Sequence, residues 1–268
     1  MNTQGGWAGL VEALKVQARV IHALMLREMK TRYGKHKLGF FWALTEPVFF
    51  IGMFAVFYTL MGRSSQNGMP VLSFLLTGIL GYMLFRDTMQ QTIQSVGANR
   101  ALLTFPQVTL FDLVLARVLV EFAVSLVVFA LLVAAAIVMR EEVRIENPLG
   151  VVSVLVLFSL LGTGLGVGFC ALTNKFPSVQ QVLSVLLGRP LFFTSGLFFT
   201  AESLPYDVRD ILLWNPLLSL TALLRSFYFF GFESQYVQIQ YSLYWVFGSL
   251  AWGLLMLSAF RRSLHSPG

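Results

Sequence analysis

Charge is scarce in this 268-residue chain: Asp, Glu, Lys and Arg make up 12% of it, about half the share of a typical soluble domain. Hydrophobic residues reach 56% and the mean hydropathy is +0.72, which excludes an ordinary soluble fold and marks an integral membrane protein. Cysteine is nearly absent. The lone Cys170 lies in an apolar run, so a disulfide framework or a thiolate metal site within one chain is excluded. The three histidines, His22, His36 and His265, stand outside the apolar runs and no H-E-x-x-H occurs, so no metal site is expected. Also missing is G-x-x-x-x-G-K-[ST], the loop whose amides cradle nucleotide phosphates; Gly34-Lys35 lacks its other elements. The chain is therefore expected to carry no cofactor and no ATP site of its own. Nor is a cleavable signal peptide expected, because the first 38 residues hold seven Lys/Arg and no apolar run of that type.

What is present is apolar sequence in bilayer-length pieces. A spanning helix needs about 20 apolar residues, and six stretches qualify, at about 39–61, 69–93, 113–138, 149–172, 179–200 and 240–260. A seventh, Ile211 to Phe232, contains Asn215-Pro216 and Arg225. Proline removes an amide donor and disfavours helix in the residue before it, so this stretch reads as a broken, re-entrant hairpin over about 205–232. Charge counting favours six spans with both termini inside. Twelve Lys/Arg then lie on the inner side and five on the outer, counting Arg63, Arg140, Arg144, Arg209 and Arg225 as outer. Although the pI is near 9.7, the cations follow topology, which argues against a nucleic-acid partner. The 22 glycines suit close helix packing in lipid.

The inner side carries two further features. Trp7, Leu10, Val11, Leu14, Ala18, Ile21, Met25 and Met29 recur every three or four residues, with Glu12, Lys15, Arg19, Arg27 and Lys30 opposite. That pattern suits an interfacial amphipathic helix; a helix docked on a partner protein is the alternative. The segment Gly97 to Asp112, "GANRALLTFPQVTLFD", is too apolar for an idle linker and suits seating in a groove of another protein or resting on lipid. Ionisable residues inside spans are Glu46, Arg86, Asp87, Arg117, Glu121 and Arg189, functional candidates because burying them is costly. Arg117 and Glu121, four apart, have the spacing of an intrahelical pair. A membrane-embedded glycosyl- or acyltransferase would need convergent acids or histidines, and only Glu46, Asp87 and Glu121 are on offer.

The string "LREMKTRYGKHKLGFFWALTEP", Leu26 to Pro47, resembles the start of ABC-2-type membrane subunits of polysaccharide exporters. Arg32, Tyr33, Leu38, Gly39, Trp42, Glu46 and Pro47 match that signature in order, and the local version is similar to capsular polysaccharide export (KpsM-like) permeases of Gram-negative bacteria. "WNPLLSLTALLRSFYF" from Trp214 fits the same family, and the likeness covers nearly the whole chain.

The resemblance implies an all-α integral membrane protein: six transmembrane helices, an N-terminal amphipathic interfacial helix and a periplasmic re-entrant hairpin before the last span. It divides the chain into a cytoplasmic segment 1–38, a transmembrane domain 39–260 and a cytoplasmic tail 261–268. It further implies a homodimer in the inner membrane, driven by a separate ATPase subunit in two copies that binds ATP and Mg. Periplasmic co-polymerase-type and outer-membrane export proteins would complete the machine. The cargo would be capsular polysaccharide, lipid-linked and acidic; O-antigen or teichoic-acid polymer is the alternative. On this reading the loop 97–112 couples to the ATPase through Asn99, Arg100, Leu103, Phe105, Pro106 and Phe111. Arg32, Tyr33, Lys35, His36 and Lys37 would form the substrate entrance, unless these cations merely anchor the helix to lipid phosphate. Aromatic rings offer sliding contacts to the C–H faces of sugars, so Phe40, Trp42, Phe49, Tyr82, Phe85 and Phe193, with Glu46 and the cations Arg86 and Arg189, are channel-lining candidates. Trp214, Asn215, Pro216 and Arg225 would cap the channel outside.

Overall fold

The computed structural model describes residues 7–33, 39–62, 65–66, 68–104, 108–139, 143–176, 178–186 and 188–260. Ten α-helices appear among them: α1 Trp7–Tyr33, α2 Gly39–Leu60, α3 Val71–Ile93, α4 Leu110–Val138, α5 Pro148–Lys175, α6 Ser178–Leu186, α7 Arg189–Thr194, α8 Tyr206–Leu212, α9 Pro216–Tyr228 and α10 Ile239–Ala259. A 3-10 segment, Gly97–Thr104, links α3 to α4. Two-residue strands β1, Ser65–Gln66, and β2, Met69–Pro70, pair antiparallel between α2 and α3.

Local chemistry sets the helix starts. At α4, the Thr109 hydroxyl accepts from the Asp112 amide while the Asp112 carboxylate accepts from the Thr109 amide at 2.8 Å. This reciprocal capping box also puts an acid at the positive end of the helix dipole. Two Asn-Pro pairs open α5 and α9. Asn147 accepts from the Gly150 amide at 2.9 Å and Asn215 from the Leu217 amide at 3.0 Å. The following proline costs nothing at a position whose amide has no helical partner.

Five helices are long and apolar enough to cross a bilayer: α2, α3, α4, α5 and α10. The fold is thus all-α and membrane-spanning, but the fifth expected span, about 179–200, is not one helix. It is divided into α6 and α7, each too short to cross. Gly188 is non-helical (φ −75°, ψ −91°) and Pro190, which lacks an amide, is tolerated only in a helix's first turn, so α7 begins anew with Pro190 there. The α8–α9 pair is bent by 100° at residues 213–215; counted together the two make at most one further span.

The centre of the bundle is α3, packed against α2, α4, α5 and α9. Close packing rests on glycines of α5 that alternate between two neighbours. A Cβ on Gly162 would lie 2.6 Å from the Phe85 carbonyl and one on Gly166 2.6 Å from Thr92 Cβ, both on α3. One on Gly164 would meet Ser249 at 2.5 Å and one on Gly168 would meet Trp252 at 2.1 Å, both on α10. Small residues at four-residue spacing bring helix backbones together where lipid provides no hydrophobic drive.

The helix α1 docks on α4. Leu24 packs with Leu113 and Ala116, flanked by Val20 and Met25. From the apolar stripe read in the sequence, Val11, Leu14 and Met29 stay exposed. Of the residues read on the opposite, cationic face, Arg27 makes an inter-helix bond described next.

Candidate functional site

Four helices converge where α1 ends. Arg32 and Tyr33 of α1, Trp42, Glu46 and Pro47 of α2, Met83 and Asp87 of α3, and Glu121 and Ser125 of α4 enclose a cavity of about 390 Å³. Pro47 sits inside α2, where its missing amide leaves the carbonyl four residues back, on Ala43, without a helical donor; Ala43 also lines the cavity.

Charge is arranged there as two connected groups. On one side, Glu28 and Arg32 of α1 face Arg117 and Glu121 of α4. Glu28 lies 3.0 Å from Arg117, Arg32 contacts Glu121, and Arg32 is 4.0 Å from Glu28. Glu28, Arg117 and Glu121 are all buried. The expected Arg117–Glu121 intrahelical pair is therefore replaced: each residue finds its opposite charge on α1, four residues apart on that helix too. On the other side, Arg86 reaches Glu46 at 2.9 Å and Asp87 at 2.7 Å, tying α3 to α2. Burial works against the Arg32 charge, yet contact with Glu121 more than offsets it and raises its pKa above the ordinary value. Burial also pushes the Tyr33 phenol up, so it stays neutral at physiological pH. Four carboxylates, Glu28, Glu46, Asp87 and Glu121, thus meet three guanidiniums, Arg32, Arg86 and Arg117. Of these seven, Arg32, Glu46, Asp87 and Glu121 line the cavity itself, so its wall holds more acid than base; Arg32 and Arg86, two of the cations read as entrance and channel residues, are both already paired. One donor is spare: Arg32 Nη2 has no hydrogen-bond partner among the described residues.

The same α1 surface reaches the loop before α4. Arg27 donates to Asn99 Oδ1 at 2.8 Å, Asn99 donates to the Ser95 carbonyl at 3.1 Å, and Gln17 donates to Asp112. Asn99 is buried and Phe111 exposed. Of the other coupling candidates, Phe105 and Pro106 lie outside the described residues, as do the side chains of Arg100 and Leu103. So do Lys35, His36, Lys37, the Phe40 side chain and the tail 261–268.

The aromatic candidates separate into two sets. Trp42, Phe49 and Phe193 are exposed, whereas Tyr82 and Phe85 are buried in the protomer. Phe85 belongs to the packed core, its carbonyl against Gly162. Tyr82 donates to the Gly188 carbonyl at 2.9 Å and meets Phe192 edge-on, joining a ring cluster with Phe50, Phe54 and Phe198. Arg189 is exposed at the start of α7.

At the other end, Trp214 is exposed and its carbonyl accepts from Tyr241 at 2.8 Å. Asn215 does more than cap α9: its Nδ2 donates to Thr194 at 3.0 Å, fastening the bend to α7. Arg225 is fully buried and donates to the carbonyls of Phe199, Leu197 and Phe74 at 3.1, 3.1 and 3.3 Å, its guanidinium 3.7 Å above the Phe74 ring. It is an internal clamp rather than an exposed outer cation.

Residues 19–229, from α1 through the last turn of the bent pair, match the model of the ABC-2 type transporter family. The chain belongs to that family. Relatives of this ABC-2 type chain include the polysialic acid transport protein KpsM of Escherichia coli, 32% identical over 245 residues, covering 90% of this chain and 93% of that protein. The capsule polysaccharide export inner-membrane protein BexB of Haemophilus influenzae is 29% identical over 257 residues, 95% and 96% of the two chains. Its counterpart CtrC of Neisseria meningitidis serogroup B is 28% identical over 263 residues, again 95% and 96%. In this ABC-2 type permease, the cavity collects five residues of the sequence signature, Arg32, Tyr33, Trp42, Glu46 and Pro47. Glu28 was missed by sequence reading. Glu28 had a signal, its four-residue spacing to Arg32.

Proposed function

We propose that the chain is the permease subunit of an ATP-binding-cassette exporter of capsular polysaccharide. It works as a homodimer in the bacterial inner membrane, both termini cytoplasmic, on a separate ATPase that binds ATP and Mg. The observation that carries this reading is the meeting of Arg32, Tyr33, Trp42 and Glu46 at one cavity bordered by exposed aromatic residues of α2. The names of KpsM, BexB and CtrC supply the cargo class. A lipid-linked acidic polymer would enter beside Arg32, its acid group taking the spare Nη2 donor. Glu121 is buried, so displacing it outright would strand its charge; the acid group would share the guanidinium with Glu121 through Nη2 rather than replace it. The exposed rings Trp42, Phe49 and Phe193 would then offer sliding contact to the sugar faces.

Force from the ATPase would arrive at the segment 97–112. The Arg27–Asn99 and Gln17–Asp112 bonds tie that segment to α1, and the Glu28–Arg117 and Arg32–Glu121 contacts tie α1 to the cavity wall. Movement of the loop is thereby transmitted to the cavity entrance as a shift of packed elements. The bend at Asn215 and the Arg225 clamp would close the outer end. The decisive experiment is complementation with co-purification. The chain should restore surface capsule to a permease-null strain and bring down an ATPase subunit whose hydrolysis needs it; an active chain with no ATPase attached would overturn the reading.

A further inference from the structure

A second, smaller cavity of about 140 Å³ opens between the far end of α3 and α6, and its walls are unlike the rest of the bundle. Gln90 of α3, Gln94 at its C-cap and Gln180 of α6 line it, with Arg86 at one end and Met89, Ile93, Leu183 and Gly188 completing it. The three glutamines are exposed, and no side chain or carbonyl among the described residues engages their amides. Gln94 caps α3 and Gln180 lies in the first turn of α6, at the cytoplasmic end of the bundle in the proposed topology, so their free amides face water that a ligand hydroxyl can replace.

We propose that this groove, at the cytoplasmic end of α3, is a contact site for the sugar hydroxyls of polymer units entering the channel beside the Arg32 cavity; the proposal rests on the export reading above. A primary amide offers two donors and two acceptor lone pairs, which matches a hydroxyl that both donates and accepts. Being neutral, amides exchange one hydroxyl for the next without the tight hold of an ion pair, as translocation requires. Met89 and Leu183 give an apolar floor for the C–H face of the ring. Arg86 forms the partition between the two cavities: it lines this groove, while its carboxylate partners Glu46 and Asp87 line the other. The groove has room for about one ring, so it reads hydroxyls one unit at a time and imposes no demand on the polymer's acid.

The test uses the full chain with its ATPase in a capsule-forming permease-null strain. Gln90→Leu/Gln94→Leu/Gln180→Leu keeps size and removes hydrogen bonding. Surface polymer is expected to fall fivefold or more, with lipid-linked polymer accumulating inside and normal ATPase co-purification. Wild-type export by the triple variant would overturn the proposal, as would loss of the ATPase from the purified complex, which would make the groove a partner surface. Failure of the unmutated chain to restore capsule would instead sink the export reading itself. A second measurement stands on its own should the triple variant fail to accumulate. Gln94→Cys and Gln180→Cys, each with Cys170→Ser, are labelled by a membrane-impermeant maleimide in inside-out vesicles. Labelling is expected to drop about threefold in vesicles from cells making polymer; equal labelling with and without polymer synthesis overturns the proposal.

Discussion

The neighbouring helices α2 and α3 have similar lengths and apolar compositions, yet 78% of the most apolar stretch of α3 is buried in the protomer against 17% of that of α2. Their glycines report the same contrast. Gly52 on α2 has open space around it, whereas a Cβ on Gly78 of α3 would lie 2.8 Å from Arg225 and 3.0 Å from the Leu197 backbone. In water such a difference in burial would show as a difference in hydrophobicity. In a bilayer it does not, because a surface facing lipid must be as apolar as one facing protein. The helix α3 is the structural axle; α2 keeps Phe41, Trp42, Phe49, Val56 and Phe57 available for lipid, cargo or a second copy.

The contrast can be broken by matched substitutions. Gly78→Val should cost more than about 3 kcal/mol, since neither a buried guanidinium nor backbone can give way, and should abolish folded permease. Gly52→Val should change stability by less than about 0.5 kcal/mol. Thermal unfolding of the purified protein compares them, and equal shifts would dissolve the distinction. Next in size, Arg225→Ala should destabilise by about 3 kcal/mol by stranding three carbonyls, with Arg225→Lys recovering part of that in the same measurement. Arg32→Met should cost about 2 kcal/mol by leaving Glu121 buried and unpaired. A double-mutant cycle with Glu121→Leu should regain most of it; simple additivity would show that the pair is not coupled. Smallest in stability is Trp42→Ala on α2, within about 0.5 kcal/mol, while surface capsule drops several-fold. A large loss of stability with unchanged export would reverse the assignment of α2 to function.

Much of the architecture was legible beforehand, for identifiable reasons. Apolar runs of bilayer length announced α2, α3, α4, α5 and α10, and the Asn-Pro and Thr-x-x-Asp devices that begin helices act locally. The fifth span was not legible as broken, because hydropathy averages over Gly188-Arg189-Pro190 and misses what one proline does to the backbone. At the site, that Arg32, Tyr33, Trp42, Glu46 and Pro47 share one cavity was not legible, nor was the pairing of charges. Arg117 and Glu121 fit one another on a single helix as well as they fit Arg32 and Glu28 across two. Phe85 and Trp42 look alike as channel rings in sequence and part company only when one is packed and the other exposed.

By itself the sequence determined the solvent of this protein, the rough number of its crossings and its family, because lipid demands long apolar helices and because turns, caps and motif spacing are encoded within a few residues. Only the tertiary structure decided which apolar helix is core, which charges neutralise one another, and that Gln90, Gln94 and Gln180 share one groove. Those outcomes depend on contacts between segments far apart in the chain, 89 residues between Arg32 and Glu121 and 151 between Arg225 and Phe74, and on close approach at glycines whose neighbours no local pattern names.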